Sequence, residues 1–64
     1  MAIISQQERQ ILEMVSDGFT DKEIAISLGR ATQTVKNQQA AIRHKLGAKN
    51  RAHAVNIIFG QTDK

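Results

Sequence analysis

Residues 20–47 read TDKEIAISLGRATQTVKNQQAAIRHKLG, and this stretch decides the fold. Thr20 with Glu23 three residues on is a capping box, in which hydroxyl and carboxylate satisfy N–H groups left open at a helix start. Ile24, Ala25 and Leu28 then recur on one face, and Gly29 stands where a left-handed cap ends a helix. A second helical pattern follows at once. At about 100° per residue, Ile42 and Leu46 fall within about 20° of Val35, so the three share a buried stripe. The opposite side collects Gln33, Lys36, Asn37, Ala40 and His44, while Arg43 and Lys45 flank the stripe. Gly47 closes the segment. Helices over about residues 21–28 and 32–46 thus meet at a very short turn.

Working outward, Ser5 and Glu8 repeat the capping box, and Ile11, Leu12 and Val15 give a buried stripe for a helix over about 6–17, followed by Gly18. On the other side Asn50 is a good N-cap for a helix over about 51–59, with Ala54, Val55 and Ile58 as inner positions and Gly60 beyond. Strand-type alternation, proline, internal repeats and low-complexity runs are missing. The expected fold is all-α: one four-helix domain spanning residues 1–64.

A chain of 64 residues buries only about 60% of the surface its unfolded form exposes, so its core is small. Without cysteine there are no disulfides and no thiolate zinc site, and His44 and His53 alone do not complete a metal cage. No metal or cofactor is therefore expected. The apolar start, Met1 to Ile4, is too short for a signal peptide, and no run approaches the ~20 apolar residues of a membrane span. Together these favour a cytoplasmic protein. Charge is unevenly placed. Residues 1–23 carry five acids and two bases, whereas residues 24–64 carry seven bases and one acid, Asp63. The six basic residues from Arg30 to Arg51 have no acid among them, which suits an anionic partner. A solvated basic face accounts for the charge alone equally well.

The third helical segment tips that balance. Solvent-facing helices ordinarily mix Glu with Lys for local ion pairs, yet residues 32–46 contain no acid at all. Amides at Gln33 and Asn37 suit paired hydrogen bonds to adenine, Lys36 suits guanine, and Ala40 permits close approach to a thymine methyl. Such a face fits the major groove of double-stranded DNA.

The ordered set Ile4-Ser5, Glu8, Ile11-Leu12, Gly18, Lys22-Glu23-Ile24-Ala25, Leu28, Thr34-Val35-Lys36, Ile42, Lys45-Leu46-Gly47, Arg51 and Ala54-Val55 resembles the LuxR/GerE-type helix-turn-helix domain of bacterial transcription regulators. The match covers about four fifths of the chain without a gap. The resemblance implies that helices 2 and 3 form the helix-turn-helix, with helix 3 in the major groove and helix 4 available for dimerisation. It implies base contacts from Lys36, Asn37 and Ala40, to which the wheel adds Gln33. Backbone contacts are implied at Thr34 and Gln38 and, with them, Thr20, Lys22, Lys45 and Arg51; Arg30, Thr32, Arg43 and His44 join these as candidate phosphate neighbours. A two-fold contact is expected through Ala52, Val55, Asn56 and Phe59 of helix 4, although Phe59 covering the core is an equal alternative.

Three positions depart from the family pattern. Gln7 stands where arginine is usual, Gln38 where histidine is common, and Arg30-Ala31 replaces an apolar residue followed by serine. Alanine is a poor N-cap, worth about 1 kcal/mol less than serine, so Thr32 is expected to cap helix 3 one residue later.

Many relatives carry a receiver or ligand-binding domain ahead of this module, and only four residues precede Ser5 here. The sequence thus offers no phosphorylation site of that kind and no pocket for a small-molecule ligand. The initial methionine and the lack of a tag favour a complete short regulator over an excised fragment. The main rival function is a protein-binding antagonist that pairs through helix 4 with another LuxR-type regulator and blocks its DNA binding. Catalysis ranks far lower, because the carboxylates of helices 1 and 2 lack an accompanying nucleophile–base pair or phosphate loop. RNA recognition lacks stacking platforms, since Phe19 and Phe59 are the only aromatics. No helix offers the long apolar face a membrane role requires.

Overall fold

The computed structural model describes residues 4–60, which form four helices: α1 (Gln6–Ser16), α2 (Asp21–Leu28), α3 (Thr32–Leu46) and α4 (Arg51–Phe59). The described residues contain no strand. The fold is all-α, as the glycine-punctuated periodicity implies.

Both capping boxes are formed. The Ser5 hydroxyl accepts the Glu8 N–H at 3.1 Å, and the Glu8 carboxylate accepts the Ser5 N–H at 2.8 Å. Thr20 and Glu23 repeat this with the same two distances. Asn50 caps α4 by accepting the His53 N–H at 2.8 Å. Helix α1 ends one residue short of expectation. Asp17, at φ −82° and ψ 0°, has left the helical region and serves as the C-cap.

The turn between α2 and α3 depends on Gly29. Its φ of +67° is a left-handed conformation that side chains disfavour, and it lets the Arg30 N–H reach back to the Ala25 carbonyl at 2.8 Å. The start of α3 differs from expectation. Ala31, not Thr32, is the N-cap, with extended backbone and no side-chain hydrogen bond to the open N–H groups. Thr32 is already the first helical residue, where its hydroxyl no longer stands in the capping position.

Ile11, Leu12, Ile24, Val35 and Ile42 are essentially inaccessible to solvent. Ala25, Ala54, Val55 and Ile4 complete the core, and Val15, Leu28, Leu46 and Ile58 pack around it. Helix α3 touches each of the other three, and α1 also lies along α4. The central helix is therefore held on one side and left bare on the other.

Candidate nucleic-acid interface

The bare side of α3 presents Gln33, Lys36, Asn37 and Ala40, all exposed, with Thr34 and His44 exposed beside them. Val35, Gln39 and Ile42 are buried on the reverse of the same helix, so packing alone holds the polar face outward. Gln33 and Asn37 are joined, the Gln33 Nε2 donating to the Asn37 Oδ1 at 3.0 Å. This pairing restrains two amides one helical turn apart and leaves the other polar atom of each unused by the partner.

The remaining candidates are spread around this face. Thr20, Lys22 and Arg30 are exposed at the start of α2 and in the turn, whereas Thr32, Gln38 and Arg43 are half-buried. The Thr20 hydroxyl is engaged in its capping box. The Gln38 Oε1 is buried without a hydrogen-bond partner.

Lys45 is exposed, and its Nζ sits on the Glu8 carboxylate of α1 at 2.8 and 3.0 Å. The flank that carries Lys45 is the one α1 covers. Lys45 and the Ser5 N–H together hold the Glu8 carboxyl below its ordinary pKa of 4.5.

Val55 takes the inner position expected of it rather than an open place on the two-fold contact. It is only 8% exposed and belongs to the core, because α1 lies along α4 on that side. Phe59 is half-buried against the core, with the Arg9 guanidinium 5.1 Å from its ring centroid. Ala52 and Asn56 are exposed. With Val15, Ser16, Arg51 and the remaining edge of Val55 they line an apolar groove between α1 and α4.

One part-buried network has no counterpart in the sequence reading. Gln39 is 3% exposed, and its Nε2 donates to the Asp21 Oδ1 at 2.6 Å. The Arg51 Nη1 forms an ion pair with the same oxygen at 3.3 Å, so one carboxylate links the starts of α2 and α4 to the middle of α3. A signal existed. Gln39 falls about 40° from Val35 on the wheel, inside the buried stripe, where an amide demands a partner.

These features can be set against known proteins. The model of the GerE family, described as bacterial regulatory proteins of the luxR family, matches residues 2–58. The chain is 40% identical over 52 residues to the transcriptional regulatory protein DesR of Bacillus subtilis (strain 168), covering 81% of this chain and 26% of DesR. It is 44% identical over 55 residues to the transcriptional activator protein EchR of Dickeya chrysanthemi, covering 86% of this chain and 22% of EchR. A third relative, the DNA-binding transcriptional activator DevR/DosR of Mycobacterium tuberculosis (strain ATCC 25618 / H37Rv), is 39% identical over 51 residues, covering 80% of this chain and 24% of its own length.

The chain belongs to the luxR family of bacterial regulatory proteins. It spans about a quarter of the curated relatives it matches. As a luxR-family domain, its α2–α3 pair is the helix-turn-helix, and the family is one of transcription regulators rather than enzymes. No helix of the described residues is long and apolar enough to cross a membrane.

Proposed function

We propose that this chain regulates transcription by binding double-stranded DNA sequence-specifically, with α3 in the major groove. The observation that carries this reading is the exposed row Gln33, Lys36, Asn37 and Ala40 on a helix with no carboxylate of its own. The amides and lysine read base edges, and Ala40 lets the backbone approach. Thr20, Lys22, Arg30, Thr32, Thr34, Gln38, Arg43, His44, Lys45 and Arg51 lie around that row and hold phosphates, which set register without reading sequence.

Two copies act together on a two-fold site in the bacterial cytoplasm. One such module makes few phosphate contacts, and joining two multiplies affinity. Support comes from α4, which carries apolar residues all round: Ala54 and Val55 face the core while Ile57 is 43% exposed. Ala52 and Asn56 lie at its open side. The same surface favours a second reading, in which the chain pairs with another luxR-family regulator and keeps it off its promoter. The uncapped start of α3 gives that reading room.

Selection of bound duplexes from a random pool, followed by titration at two salt concentrations, separates the two. A reader enriches a sequence with half-sites about one helical turn apart and loses affinity steeply with salt. An antagonist enriches nothing and binds a luxR-family regulator instead.

A further inference from the structure

Where α2, α3 and α4 meet, a polar cleft is lined by Asp21, Lys36, Gln39, Arg43 and Arg51. Three cations surround a single carboxylate. That carboxylate is not shared equally between its partners. Gln39 holds it at 2.6 Å from a buried position, whereas Arg51 meets it at 3.3 Å with 47% of its side chain exposed. Gln39 lines the same cleft, and its Oε1 is buried and unpaired. A buried acceptor without a donor, beside cations that are exposed or half-buried, is an arrangement with room for a further partner.

We propose that this cleft seats one backbone phosphate of bound DNA, and that Asp21 takes that phosphate's place on Arg51 in the free protein. The inference rests on the DNA-binding reading above. When DNA docks, Arg51 turns from the carboxylate to the phosphodiester. The Arg51 side of the pair is exposed and its 3.3 Å contact is long, so little opposes the exchange, and guanidinium binds phosphate in a two-pronged geometry. Asp21 is not stranded, because Gln39 keeps its hydrogen bond to it. Arg43 gains the unpaired Gln39 oxygen as an anchor while its remaining N–H groups face the phosphate. Asp21 thereby sets the affinity: it orders Arg51 in advance and repels the phosphate that replaces it.

The test uses the full chain and a mixed-sequence DNA duplex, since a phosphate seat does not depend on base sequence. Asp21→Asn keeps an acceptor for Gln39 and removes the charge. It is expected to bind about 3- to 10-fold tighter at low salt, with a slope of log affinity against log salt steeper by about one. Arg51→Gln is expected to lose more affinity in the Asp21→Asn background than in the wild type. In the wild-type protein, DNA is expected to shift the Arg51 side-chain N–H resonances, and with them the Gln39 side-chain amide as its oxygen gains a donor. This measurement remains decisive even if Asp21→Asn fails to fold. If the wild type binds the duplex while Arg51 is unmoved, or Asp21→Asn matches it in affinity and slope, the exchange is wrong and DNA binding stands. If the wild type binds neither this duplex at low salt nor any duplex selected from a random pool, both readings fall.

Discussion

The Glu8 carboxylate and the Lys45 ammonium meet at 2.8 Å across 37 positions of sequence, and the same carboxylate accepts the Ser5 N–H. One side chain thus starts α1 and ties that start to the last turn of α3. Glu8→Gln keeps the cap and removes the charge. Exposed pairs contribute about 0–1 kcal/mol, and about 1 kcal/mol shifts the melting temperature of so small a domain by about 4–8 °C. The variant should therefore melt at or slightly below the wild type at neutral pH. The acid limb is the sharper check. A carboxyl held below its ordinary 4.5 contributes stability that is fully present above that value and lost as pH falls through the lowered one. The gap between wild type and Glu8→Gln should close as melts are taken from pH 7 towards pH 3. A gap that persists in acid would show the charge of Glu8 to be irrelevant.

Ala31 gives a prediction of the opposite sign. It occupies the N-cap of α3 with φ −73° and ψ 147°, a backbone that serine adopts readily, yet it offers no side-chain acceptor. Ala31→Ser should add a hydrogen bond to an open N–H and stabilise the domain by about 1 kcal/mol. A rise of about 4–8 °C in melting temperature is expected. An unchanged melt would mean those N–H groups are already well served by solvent.

How much of this was legible in the sequence depends on the range of each interaction. The boxes at Ser5–Glu8 and Thr20–Glu23 span three positions each, so pattern alone exposes them, and the structure forms both. The stripe of Val35, Ile42 and Leu46 follows from helical period, and it orients Lys36, Asn37 and Ala40 outward. Contacts between helices were not legible. Lys45 sits on the flank of α3 that α1 covers, and no local rule says that Glu8 waits there. Val55 reads both as an inner position and as part of a two-fold contact, because a helix apolar on all sides does not announce which face α1 covers; the structure buries it in the core. Gln39 was readable in principle as a polar residue within an apolar stripe. Its partner Asp21, 18 positions away, was not.

Val35 is fully buried at the junction of α2 and α3. Val35→Asp would place an unpaired carboxylate among Ile24, Ile42 and their neighbours, and the cost of an uncompensated buried charge is several kcal/mol. A core this small has little to spare, since whole domains are stable by only about 5–15 kcal/mol. Loss of helical circular dichroism at 25 °C is expected. A folded variant with unchanged DNA binding would show that the register assigned to α3 is wrong.

Lys36 and Asn37 are neighbours on the exposed face, but one is charged and the other neutral, so salt separates their roles. Asn37→Ala removes no positive charge and should leave the salt slope unchanged. If Asn37 reads a base, discrimination between the selected duplex and a variant at one base pair should fall by about 1–3 kcal/mol. Its loss also releases Gln33, whose Nε2 is held by Asn37 at 3.0 Å, and Gln33→Ala in both backgrounds should therefore be less than additive. Lys36→Ala should also cost about 1–3 kcal/mol on the selected duplex and relax sequence preference, because a lysine at a base edge carries information. Should Lys36→Ala instead weaken every duplex equally and reduce the salt slope by about one, the lysine holds phosphate. The reading edge of α3 would then narrow to Gln33, Asn37 and Ala40.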